Sequence, residues 1–183
     1  MKYRGFIALE TPEPVRKSLS ERLFAWNKTP GVNWVREENL HLTLLFLGDV
    51  EATRIGVVDY TLAECLDDQH PYTMRIKGLE LFPARQPRLI WASLEADTQA
   101  IFKLHKTLYY QLKQLAPEID AKALKLHVTL GRIKADLPLW LEEEILKSQV
   151  DTANYSYDAI SLYRSVLKAD GPVYQIINQY KLI

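Results

Sequence analysis

Residues 39–44 read Asn39-Leu40-His41-Leu42-Thr43-Leu44, and residues 125–130 read Lys125-Leu126-His127-Val128-Thr129-Leu130. Both contain Leu-His-apolar-Thr-Leu, a β-compatible run in which alternation sends histidine and threonine to one face and the apolar residues to the other. Imidazoles on strands that otherwise read as buried need a partner or a cleft. One His-x-Thr alone is most simply a strand-edge histidine bonded to a nearby threonine. Two copies, using two of the four histidines in the chain, point instead to duplicated strands related by a pseudo-two-fold axis, with two His-Thr pairs facing each other across a groove. The ordinary imidazole pKa of about 6.5 lets one copy be neutral and the other protonated near neutral pH, so that one accepts a proton while the other donates.

Outward from the first motif, Tyr3 to Leu9 is an apolar, strand-like run, and Thr11 followed by Pro12 reads as a helix cap with proline in the first turn. Val15, Leu19, Leu23 and Trp26 fall at helical spacing, which predicts a helix to about Asn27, before the Pro30-Gly31 break. The motif strand spans Leu40 to Leu47 and Gly48 closes it. Thr53 to Leu66 is helical, with Ile55, Val58, Leu62 and Leu66 on one face. Tyr72 to Phe82 and Arg88 to Leu94 are two β-type segments around the turn-rich Pro83 to Pro87, which predicts a hairpin or long-loop pair. Outward from the second motif, Ile101, Leu104, Leu108, Leu112 and Leu115 form one helical stripe, the motif strand spans about Lys125 to Ile133, and Pro138 to Lys147 is a short helix. Two terminal strands follow, Tyr155 to Leu167 and Val173 to Leu182, separated by Asp170-Gly171-Pro172. Interspersed helices and hairpin-like strand pairs indicate an α+β fold with largely antiparallel sheets.

Composition narrows the function. With 23 Lys plus Arg against 23 Asp plus Glu and a hydrophobic content of 48%, the chain is neither disordered, collagen-like nor coiled coil. At 183 residues it can bury roughly 70% of its unfolded surface without disulfides or metals. A formal charge of zero argues against coating nucleic acid by bulk electrostatics, so phosphate recognition must be local. Cys65 is the only cysteine; a reducing compartment, and so a cytoplasmic location, is the expectation. The apolar run Phe6 to Leu9 is too short for a signal-peptide core, and Leu42 to Leu47 falls far below the ~20 residues of a membrane span. A soluble, unexported protein with no membrane partner is expected.

These motifs resemble those of the two-histidine (2H) phosphoesterases, and specifically the RNA 2′,3′-cyclic phosphodiesterase (2′-5′ RNA ligase) group. The likeness runs through Arg4-Gly5-Phe6-Ile7-Ala8-Leu9, Trp34-Val35-Arg36 leading into Asn39 to Gly48, Phe82-Pro83 with Pro87-Arg88-Leu89-Ile90-Trp91, His127-Val128-Thr129-Leu130-Gly131-Arg132, and Leu162-Tyr163-Arg164-Ser165 with Gly171-Pro172-Val173-Tyr174. One departure is Leu126, where family members usually carry proline. The resemblance implies two pseudo-symmetric lobes, each a mostly antiparallel sheet with helices on its outer side, enclosing a central cleft within one two-lobed domain of residues 1–183. It also implies His41 as the proton donor to the leaving 3′ oxygen, His127 as the base that activates water, and a 2′-phosphate product, with possible reversible 2′-5′ ligation of RNA ends. The expected partners are RNA 3′ ends or nucleoside 2′,3′-cyclic phosphates, and a monomer is expected.

In-line opening of a cyclic phosphate needs an activated water on one side of phosphorus and a proton on the other, and two opposed histidines supply both without a metal or cofactor. Thr43 and Thr129 can donate to the non-bridging oxygens, and Arg132 can balance their charge in the transition state. Spacing alone leaves donor and acceptor unassigned. Arg132, whose counterpart in the first motif is Phe46, is the one asymmetry; strict alternation would aim it away from His127, so a bend or bulge at Gly131 is implied. Competing readings keep the fold with another cyclic phosphate or a 2′-5′ oligonucleotide as substrate, or make the groove a nonenzymatic RNA- or nucleotide-binding clamp. A metal hydrolase is the weakest, because His127 has no His or Cys neighbour at ligand spacing. Elsewhere, His105 reads as a packing histidine and His70 as solvated. Cys65 has no metal partner, and Glu142 to Glu144 forms a solvated face. Trp34 and Phe82 could stack on a base, and Arg88 could contact RNA phosphate at the rim.

Overall fold

The computed structural model describes residues 1–168 and 171–183; Asp170 of the expected terminal turn lies outside the described residues. In chain order the strands and helices are β1 (Lys2–Glu10), α1 (Glu13–Trp26), β2 (Val32–Trp34), β3 (His41–Glu51), α2 (Ile55–Leu66), β4 (Tyr72–Phe82), β5 (Leu89–Ala96), α3 (Ala100–Leu112), β6 (His127–Ile133), α4 (Leu139–Lys147), β7 (Tyr155–Tyr157), β8 (Ala159–Lys168) and β9 (Gly171–Lys181). They build two antiparallel sheets, a four-stranded one in the order β3-β1-β8-β9 and a five-stranded one in the order β2-β6-β5-β4-β7. The expected α+β fold is the one observed. In both sheets the histidine strand lies beside the strand that heads the same spatial series, so β3-β1-β8-β9 corresponds to β6-β5-β4-β7. Only β2 has no counterpart.

Burial follows from this order. Phe6 to Leu9 is buried on both faces because β1 runs between β3 and β8. Ile7 and Leu9 join the main core, whereas Phe6 and Ala8 look the other way and form a separate small cluster with Tyr163 and Tyr174. The apolar stripes of α2 (Val58, Leu62, Leu66) and α3 (Ile101, Leu104, Leu108, Leu112) are buried; these helices pack on each other and reach β9 and β3. Helix α4 buries Leu141 and Ile145 and lies along β4. The α1 stripe of Val15, Leu19, Leu23 and Trp26 is buried as its spacing predicts, and the Trp26 indole donates to Glu144 of α4 at 2.8 Å. Glu144 is therefore a tie between helices rather than part of a purely solvated face.

Four expectations need correction. Pro12, extended at φ −56° and ψ 145°, is the residue before α1, and no side chain caps the helix; Thr11 is buried with its hydroxyl unpartnered. Gly48 does not end its strand: β3 continues to Glu51. Gly48 instead sits at φ +68° beside a register shift from Gly5↔Gly48 to Phe6↔Phe46, and a Cβ there would lie 2.9 Å from the Glu118 carbonyl oxygen. Glycine is what this bulge admits. The single strand expected from Tyr155 is two, because β7 pairs with β4 in one sheet and β8 with β1 in the other. Leu115 falls beyond α3, where the buried Ala116 finishes the stripe.

Candidate active site

Both histidine strands carry the same irregularity at the same place. In β3, Ala8 pairs with Thr43 and Ile7 with Leu45, leaving Leu44 extra. In β6, Trp91 pairs with Thr129 and Ile90 with Gly131, leaving Leu130 extra. Each bulge puts two consecutive buried residues into the strand, Leu44-Leu45 and Leu130-Gly131, and so resets the alternation beyond it. His41, Thr43 and Phe46 consequently share one face of β3, and His127, Thr129 and Arg132 share one face of β6. The bend implied at Gly131 is this bulge. A Cβ on Gly131 would approach Val32 Cγ1 to 2.8 Å and Trp34 Cε3 to 3.0 Å, so glycine lets β2 lie close against β6.

His41 is held from several sides. Its Nε2 is 3.1 Å from the Thr43 hydroxyl oxygen. Its ring stacks on Phe6 with centroids 5.0 Å apart and planes at 25°, and Phe6 stacks on Tyr163 at 4.8 Å and 11°. Tyr174 stands edge-on to both Phe6 and His41, at 4.9 and 5.4 Å. The Tyr163 hydroxyl donates to the Glu10 carboxylate at 2.6 Å, and Glu10 is the cross-strand partner of His41. Burial among these rings lowers the His41 pKa from 6.5 to about 4. A hydrogen bond with the Asn39 backbone opposes the shift, and the positive charges of His127 and Arg132 reinforce it.

His127 has a different setting. Its Nδ1 lies 2.8 Å from the carbonyl oxygen of Lys125; a carbonyl can only accept, so Nδ1 carries the hydrogen and Nε2 offers a lone pair. The ring lies 4.4 Å from Trp91, which stacks on Phe82 at 4.1 Å and donates its indole N–H to Glu80 at 3.0 Å. The Lys125 ammonium caps the Phe82 ring at 4.2 Å. Burial lowers the His127 pKa, and the charges of Lys125 and Arg132 lower it further.

The charge of His127 and Arg132, from the five-stranded sheet, reaches His41 in the four-stranded one, and β3 and β6 lie against each other. The two imidazoles therefore belong to one site. Thr43 and Thr129 sit half-buried beside their histidines, and Arg132 is exposed on the same face as His127. Arg88 is exposed, its carbonyl accepting from Ile133 N–H at 2.9 Å. Phe82 lies in the His127 stack, but Trp34 does not join the site: it packs on Trp26 at 6.0 Å and on the core.

His105 is half-buried on α3 and its pKa is lowered by burial. His70 is exposed and hydrogen-bonded to the Ile183 carbonyl oxygen. Burial raises the Cys65 thiol pKa, with Glu64 adding to the effect. A recess of about 480 Å³ between α2 and α3, bordered by Tyr60, Cys65 and Gln111, contains neither motif histidine.

Reading along the sequence misses Phe6, Glu10, Glu80, Trp91, Tyr163 and Tyr174 as neighbours of the histidines, because only strand registry brings them there. Asn33 is missed for the same reason. It is the register partner of Arg132 and points away from the Gly131 side, where Val32 and Trp34 pack.

Comparison with known proteins agrees with this geometry. Residues 9–91, which include the first motif, match the LigT-like phosphoesterase family. An RNA 2′,3′-cyclic phosphodiesterase of Thermotoga maritima is 32% identical over 178 residues, covering 95% of this chain and 92% of that protein. One from Archaeoglobus fulgidus is 27% identical over 97% of this chain and 99% of its own. The crystal structure of TT0787 from Thermus thermophilus superposes with a TM-score of 0.85 at 29% identity, covering 98% of this chain and 97% of that one. A doubled His-x-Thr motif with matching bulges, on a fold and sequence shared nearly end to end with these proteins, makes the chain a member of the LigT-like phosphoesterase family.

Proposed function

We propose that this protein hydrolyses 2′,3′-cyclic phosphate ends of RNA or nucleotides to 2′-phosphomonoesters by paired histidine acid-base catalysis. The observation that carries the reading is the pair of half-buried imidazoles, each fixed by the backbone two residues upstream and each on the bulged strand of its own sheet. The relatives named RNA 2′,3′-cyclic phosphodiesterase support the substrate class.

In this mechanism His127 Nε2 takes a proton from water as the water oxygen attacks phosphorus. His41 gives its proton to the departing 3′ oxygen, and the P–O3′ bond breaks as the new P–O bond forms. Thr43 and Thr129 donate to the non-bridging oxygens, and Arg132 offsets the charge that grows on them. Run backward with a ribose hydroxyl in place of water, the same groups join 2′-5′ ends. The environments support this assignment: burial, reinforced by the charges of Lys125 and Arg132, holds His127 in the neutral form that a base requires. His41, strongly desolvated, becomes a competent acid once an anionic phosphate sits beside it.

Products of 2′,3′-cyclic AMP hydrolysis in the presence of chelator test the proposal. Release of 2′-AMP is expected; 3′-AMP as the product, or no turnover, contradicts it.

A further inference from the structure

Each histidine has beside it an aromatic ring whose polar tip is tied to a glutamate of its own sheet. Near His41 the Tyr163 hydroxyl donates to Glu10; near His127 the Trp91 indole donates to Glu80 at 3.0 Å. The second tie acts the more directly. The bond from Nδ1 to the Lys125 carbonyl fixes one end of the His127 ring, and the ring meets Trp91 with centroids 4.4 Å apart. A ring held at one nitrogen can still pivot about that bond, so the surface it lies on sets where Nε2 points. Trp91 is buried, and a buried indole N–H needs an acceptor. In the cross-strand row Trp91 stands between Glu80 and Thr129, and the bond to Glu80 turns the polar edge of the indole toward β4. Ser93, the cross-strand partner of His127, and Trp91 both hydrogen-bond the Glu80 carboxyl and hold it below the usual carboxylate range, with Lys77 adding to the effect. The acceptor is therefore a carboxylate at neutral pH, and the indole bond is charge-assisted. Glu80 itself is exposed, so its removal opens no cavity.

We infer that Glu80 is a positioning residue for the proposed base: by fixing the Trp91 indole it fixes the surface on which His127 lies, and so the direction of Nε2. The inference rests on the cyclic phosphodiesterase reading and adds to it a residue that acts through another side chain. Substrate that is already bound then meets a base that is less often aimed at water when Glu80 is missing, so the effect falls on kcat rather than on KM.

The test measures kcat and KM for 2′,3′-cyclic AMP in the whole protein, as wild type, Glu80→Ala, Glu80→Gln, Trp91→Phe and the double variant, with the Trp91 indole proton followed by NMR. Glu80→Ala is expected to move that signal upfield and to lower kcat about 10-fold, with KM changed by less than about 2-fold. Glu80→Gln, whose amide oxygen still accepts the indole N–H, is expected to restore most of kcat. Trp91→Phe keeps a ring beside His127 but has no N–H, so adding Glu80→Ala to it is expected to lower kcat no further. A rise in KM without a fall in kcat, equal losses in Glu80→Ala and Glu80→Gln, or an undiminished further loss in the Trp91→Phe background overturns the positioning role. Wild-type turnover that Glu80→Ala leaves intact overturns that role alone, whereas absence of wild-type turnover removes the reading beneath it as well.

Discussion

His127 donates its Nδ1 hydrogen to the carbonyl oxygen of Lys125 across 2.8 Å. With that nitrogen committed, Nε2 is left as the one lone pair able to take a proton from water. Nitrogen NMR of the neutral imidazole is expected to find the Nδ1–H tautomer at pH 8. An Nε2–H tautomer contradicts the role of base.

Gly131 exists as glycine because β2 presses on β6 there, and the bulge it belongs to is what aims Arg132 at the site. Gly131→Ala is expected to lower stability by about 1–3 kcal/mol, as overpacking does, and to lower turnover through Arg132. Arg132→Ala, at an exposed position, is expected to cost about 10²-fold in kcat/KM while leaving the denaturation midpoint in place. Unaltered turnover in Arg132→Ala contradicts its assignment to the phosphate.

Acid should weaken the fold through His41. Its pKa is lowered to about 4 in the folded protein against 6.5 unfolded, so the unfolded chain binds the extra proton and stability falls as pH drops through the window between those values. The loss reaches ~3 kcal/mol at most below pH 4. Urea denaturation at pH 7 and pH 4.5 should show this loss, and His41→Gln should reduce it. A wild-type difference that His41→Gln leaves intact places the titrating group elsewhere.

An anion between the imidazoles acts in the opposite sense, favouring imidazolium. Sulfate, which does not titrate in this range, is expected to bind more tightly as pH falls from 8 to 6 and to take up protons on binding, measurable by calorimetry in buffers of different ionisation enthalpy. Binding that is independent of pH contradicts coupling of His41 to the phosphate position.

The Tyr163 hydroxyl bond to Glu10 anchors the stack behind His41. Tyr163→Phe keeps the ring and removes the donor, so a loss of about 1.5–3 kcal/mol, typical of hydrogen bonds to a charged group, is expected in chemical denaturation. No change in midpoint contradicts an anchoring bond.

The helices and most strands are legible in the sequence because their stripes repeat at helical or strand periods, as in α3 from Ile101 to Leu112 and in β4 and β5 around the Pro83 to Pro87 turn. His41, Thr43, His127, Thr129 and Arg132 are legible because the motif is doubled, and the Gly131 bend because Arg132 would otherwise face the core. Three features leave no local signal. Leu44 reads as one more apolar residue, and its bulge appears only against β1. The Tyr155 to Leu167 run is uniformly strand-like, so nothing in it announces that β7 and β8 part at Asp158 to serve different sheets. The rings around each histidine come from distant strands, Phe6 and Tyr163 on one side and Trp91 and Phe82 on the other, and registry rather than spacing sets them there.

Turnover of 2′,3′-cyclic AMP by wild type, His41→Ala and His127→Ala, each shown to be folded, tests the two-imidazole mechanism most directly. A loss of ~10²-fold or more in each single variant is predicted; full activity in either one contradicts it.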